Sequence, residues 1–138
     1  MRKILLVIIT LALLMPIAYC QELEQYMQQD KNPNFILAVN NESLEITPVD
    51  ITIYIDDKVA ASENINFDPH RHKTFEFRLS RGIHKIRVYS VKGEAKLGKT
   101  FEIIDKLLCG IVTYRYSPEL QQEKGFTFRV QPPPIIIE

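Results

Sequence analysis

Val49-Asp50-Ile51-Thr52-Ile53-Tyr54-Ile55-Asp56-Asp57 is the stretch that decides the fold. Side chains alternate along an extended chain, so Val49, Ile51, Ile53 and Ile55 share one face while Asp50, Thr52 and Tyr54 share the other. Asp56-Asp57 then supplies a tight turn, because aspartate tolerates the left-handed backbone that a two-residue hairpin loop requires. The stretch reads as a half-buried strand that turns back on itself.

The same period of two extends in both directions. Upstream, Phe35 to Asn40 is a short first strand, and downstream Lys58 to Phe67 is a weaker one. Asp68-Pro69 interrupts the pattern, and Lys73 to Leu79 restores it with Phe75, Phe77 and Leu79 on one face. Ser80-Arg81-Gly82 is a turn, after which His84, Ile86 and Val88 alternate with Lys85, Arg87 and Tyr89. Lys92-Gly93-Glu94 turns the chain into Ala95 to Ile103, where Gly98 marks an expected bulge. Leu107 to Tyr116 begins apolar on both faces, as a covered central strand does. Phe126 to Val130 is the last strand, which Pro132-Pro133-Pro134 ends because proline lacks the ladder donor. Seven to eight short strands across residues 35–131 predict an all-β domain, an immunoglobulin-like antiparallel β-sandwich following an N-terminal signal peptide. Ile51, Ile53, Phe75, Phe77, Val88 and Phe101, each on the more apolar face of its segment, are the expected core.

Leu79-Ser80-Arg81-Gly82-Ile83-His84-Lys85-Ile86-Arg87-Val88 resembles the leucine, turn, glycine, histidine, alternating-aliphatic hairpin of bacterial Ig-like modules, including the PEGA type. With Ile53 to Asp57, it makes the chain similar to small uncharacterised bacterial lipoproteins that carry one such domain, the likeness covering residues 49–104. The resemblance implies a module of the cell envelope and brings no catalytic residues to transfer.

The chain ends fit export. Arg2 and Lys3, an apolar run from Ile4 to Leu14, and Ile17-Ala18-Tyr19-Cys20 before Gln21-Glu22 have the layout of a secretory signal over residues 1–20. The apolar run is too short for a spanning helix. Ile17-Ala18-Tyr19-Cys20 resembles a bacterial lipobox at three of its four positions, with Tyr19 where Gly, Ala or Ser is usual. This implies lipidation of Cys20 and a membrane partner through that anchor; the competing reading is ordinary cleavage after Cys20, giving a soluble periplasmic or secreted protein. Residues 21–34 form a polar tether of about 45 Å when extended. In residues 132–138, the prolines hold an extended segment before Ile135, Ile136 and Ile137. These three isoleucines add an edge strand to their own sandwich or to a protein partner's exposed edge.

Without Arg2 and Lys3 the chain carries 15 basic against 17 acidic residues, so no basic stripe invites nucleic acid. The absence of Trp weakens a carbohydrate platform. Cys109, inside an apolar run, reads as a small buried hydrophobe. His70 and His72, two apart in an extended segment, with Asp68 before them and His84 on a following strand, are the candidate metal ligands. Asp50, Asp56, Asp57 and Asp68 are a weaker calcium set without the regular spacing of a binding loop. Asn41-Glu42-Ser43 matches a glycosylation sequon. No nucleophile elbow or phosphate-cradling glycine loop occurs, so neither an enzyme nor a cofactor is expected. The resulting expectation is a non-enzymatic cell-envelope lipoprotein presenting a binding or structural module; the alternative is a soluble exported ligand or metal binder.

Overall fold

The structure is a computed structural model that describes residues 32–133. Eight strands follow one another: β1 (Phe35–Asn41), β2 (Val49–Ile55), β3 (Lys58–Ile65), β4 (Lys73–Phe77), β5 (Gly82–Ser90), β6 (Ala95–Ile103), β7 (Leu108–Ser117) and β8 (Gln122–Gln131). They form two four-stranded sheets, ordered β4-β1-β7-β8 and β3-β2-β5-β6, packed face to face as a sandwich.

Alternation produces the core directly. Every odd residue of β2 is buried and every even one only half-buried. Across from β2, the facing sheet contributes Phe35, Leu37 and Val39 of β1 with Val112 and Tyr114 of β7, all essentially without exposed surface. Ile51, Ile53, Val88 and Phe101 are buried as expected. Phe75 and Phe77 are only partly buried, because β4 is a five-residue edge strand with a neighbour on one side alone. Phe101 links the layers, its ring stacked on Phe35 at 4.8 Å and edge-on to Phe128 at 5.7 Å. Gly110 makes this possible: a Cβ there would lie 2.6 Å from the Phe35 ring, so only a bare backbone lets the ring sit against β7.

Two expectations are corrected. The sheets are not both antiparallel: β1 and β7 run parallel, from Phe35 opposite Leu108 to Asn41 opposite Tyr114, so that sheet is mixed. Period-two patterning fixes which face of a strand is buried but carries no signal for its partner or direction. The order also departs from the constant-type immunoglobulin arrangement, in which the first, second, fifth and fourth strands share a sheet. Gly98 is not a bulge; it pairs with Arg87 in an unbroken β5–β6 ladder. The register shifts instead between Ile53 and Tyr54, opposite Ala60, and between Arg115 and Ser117.

Candidate functional site

The strand directions divide the connections between two poles. Asn34, whose N–H donates to the Phe77 carbonyl and whose carbonyl accepts from Leu108 N–H, stands at the start of β1 beside the end of β4 and the start of β7. Gln131 at the end of β8 pairs with Cys109 at that same level. The described chain therefore enters and leaves at one pole, which also carries the β2–β3, β4–β5 and β6–β7 connections. Among the described residues, the opposite pole is built of the β1–β2, β3–β4, β5–β6 and β7–β8 loops.

Two of those loops, β1–β2 and β5–β6, are held by polar bonds, buried around Asn41 and Gly93 and more exposed at Asp50. Asn41, with no exposed surface, donates through Nδ2 to the carbonyls of Ile46 (2.8 Å) and Ile65 (3.2 Å), while its Oδ1 accepts from Ser43 N–H (2.8 Å). This side chain ties the β1–β2 loop to the end of β3, and its amide is committed, so the sequon match offers no accessible acceptor in the folded domain. Asp50 performs the same service for the β5–β6 turn. Its carboxylate accepts from Ser90 Oγ (2.8 Å), Val91 N–H (3.0 Å) and Lys92 N–H (2.8 Å). Partial burial would raise its pKa, but the three donors outweigh that and hold it below the ordinary 3.8. Gly93 N–H donates to Ser90 Oγ at 2.7 Å, and the buried Tyr114 hydroxyl donates to the Gly93 carbonyl at 2.9 Å. Gly93 must be glycine, since a Cβ would meet Ser90 Oγ and the Tyr114 ring at 2.7 Å. Ion pairs Arg115–Glu42 (2.8 Å) and Lys124–Glu94 (2.7 Å) cross between neighbouring elements.

Leu44, Val91 and Leu120, one on each of three loops, are exposed to 69%, 83% and 79%. Each is an aliphatic residue at a turn position among polar neighbours, a pattern visible in Ser43-Leu44-Glu45, Val91-Lys92 and Glu119-Leu120-Gln121 but not singled out in reading the sequence.

The proposed metal ligands are separated. Asp68, His70 and His72 occupy the β3–β4 loop at the loop pole, where Asp68 Oδ1 accepts from His70 N–H (2.8 Å) and Arg71 lies 4.0 Å from Oδ2. His84 is buried near the other pole: Nε2 donates to the Ser80 carbonyl at 2.7 Å, and Nδ1 lies 2.5 Å from Asp56 Oδ2. Asp56 Oδ1 also accepts from Lys85 N–H at 3.0 Å. His84 is thus held by hydrogen bonds to Ser80 and Asp56, and among the described residues no three His, Cys, Asp or Glu side chains converge on a metal position. The four aspartates likewise divide, Asp50 and Asp68 at one pole and Asp56 and Asp57 at the other. Cys109 is 1% exposed, and burial pushes its thiol pKa up, the opposite of what a nucleophile needs. Cys20, the signal and the tail residues Ile135, Ile136 and Ile137 lie outside the described residues.

No protein-family model matches the chain, and no curated protein matches it either.

Proposed function

We propose that this is a non-enzymatic cell-envelope protein, lipid-anchored at Cys20, that presents its sandwich as a binding module with the loop pole turned toward a protein partner. The observation that carries this reading is the division of the molecule: chain entry and exit at one pole, and at the other three exposed aliphatic side chains on loops, two of which are polar-braced. Pre-organised loops reduce the entropy lost when a partner docks, which is why binding surfaces reside on loops positioned by a rigid scaffold. The immunoglobulin likeness enters as shared two-layer architecture and not as strand order.

The experiment is in-cell crosslinking of the full chain, followed by mass spectrometry, compared with a Leu44→Ser, Val91→Ser, Leu120→Ser variant. The variant is expected to fold and melt as the parent does, since none of the three belongs to the core, and to lose its crosslinked partner. An unaltered crosslinking pattern would remove the loop pole from the reading.

A further inference from the structure

The poles differ in charge as well as in connectivity. At the loop pole, the three aliphatic-bearing loops and their strand ends carry Glu42, Glu45, Asp50, Glu94, Glu119 and Glu123 against Lys92, Lys96, Arg115 and Lys124, while on the β3–β4 loop Glu63 and Asp68 are balanced by Arg71 and Lys73. At the chain-end pole, Asp57 pairs with Arg87 at 2.9 Å and Asp105 with Arg81 at 2.8 Å, as Glu42 and Glu94 are paired at the other, and Asp56 bonds the His84 ring. Lys58, Lys85 and Lys106 are exposed there, and so, in part or almost wholly, are Ile83 (77%), Ile104 (41%) and Leu107 (38%). Glu102, the cross-strand partner of Ile83, and Glu76 near the end of β4 are the exposed carboxylates set against them.

We propose that the chain-end pole is a contact surface for an anionic phospholipid bilayer, an inference that rests on the lipid-anchor reading of Cys20. Aliphatic side chains among lysines are the composition of segments that lie at a lipid interface. Each lysine near an anionic headgroup layer contributes about 1 kcal/mol, whereas the acidic rim of the loop pole is repelled. The route from Cys20 also enters at this pole, through twelve residues that reach about 40 Å at most. Such a tether keeps the surface at high effective concentration, so a contact too weak to recruit a free domain suffices to orient an anchored one. The opposite pole then faces away from the membrane.

The test uses the full lipidated chain in vesicles of phosphatidylethanolamine and phosphatidylglycerol. An environment-sensitive label is placed at Ile83→Cys or at Leu120→Cys, with buried Cys109 out of reach of the reagent. Brominated lipid is expected to quench the label at position 83 and not that at 120. Lys85→Gln and Lys106→Gln should each weaken the contact about fivefold. Equal quenching at the two positions, none at either, or stronger quenching at 120, on protein whose mass includes the acyl chains, overturns this surface while the lipoprotein reading stands. A mature chain without acyl mass overturns the anchor reading and this inference with it.

Discussion

His84 shows how one residue can be placed correctly in a pattern and misread in chemistry. Its position in the hairpin was legible, and so was the neighbouring Ser80 turn, but its second partner, Asp56, comes from a turn that is distant in sequence. The Ser80 carbonyl can only accept, so Nε2 carries a proton; Asp56, held below its ordinary range chiefly by the Lys85 N–H, then favours a second proton on Nδ1. Burial opposes the charge, yet the bonds to Ser80 and Asp56 prevail and raise the His84 pKa above its ordinary 6.5. A raised histidine contributes stability that is complete below about 6.5 and is lost as pH climbs through the folded-state value. The Asp56 contribution is present above 3.8 and is lost as pH falls through its depressed value. Melting temperatures measured from pH 4 to 9 should therefore decline on the alkaline side for the parent, and a His84→Asn variant should lack that decline. Phe35 and Phe77 test the core in the same way. Phe35→Ala, at a fully buried site, should cost about 3 to 5 kcal/mol in denaturant unfolding. Phe77→Ala, half-buried on an edge strand, should cost about 1 to 2. Equal losses would show that β4 is packed more tightly than its exposure indicates.

Among elements, hairpins were more legible than sheets. The β2–β3 turn followed from Asp56-Asp57, which has φ of 50° and 65°, as a two-residue loop of this hand requires. The parallel pairing of β1 with β7 left no mark in the sequence, because it is made by two backbone edges brought together from distant parts of the chain and not by local turn chemistry. Turn braces were also silent: Asp50 reads as one more polar residue on an alternating strand, though it organises a turn forty residues away. Asp50→Ala should cost about 1 to 2 kcal/mol, since it leaves the Ser90 hydroxyl and two turn N–H groups to find other partners. Hydrogen exchange should accelerate at Val91 and Lys92 before it does in the β5–β6 ladder. Because the Asp50 pKa is depressed, its contribution is present above 3.8 and lost as pH falls through the folded-state value, which acid titration of the melting temperature checks.

At the scale of the molecule, the sandwich was legible because alternation and breakers recur at short intervals, whereas the sites were not, because each is assembled from two or more loops. The anchor is a question of the whole chain. Cys20→Ser should move the protein from the membrane to the soluble fraction without changing its melting, and continued membrane association would exclude the thioether as the means of attachment. The shared exit of both ends has a separate consequence for how such domains can be joined. β1 and β8 flank β7, so entry and exit lie about two strand spacings, roughly 10 Å, apart. A module wired this way fits into a surface loop of a host protein with little distortion. Strung in tandem through short linkers, however, its copies must stand side by side like teeth on a comb, because an end-to-end rod would need each linker to travel the full length of a domain.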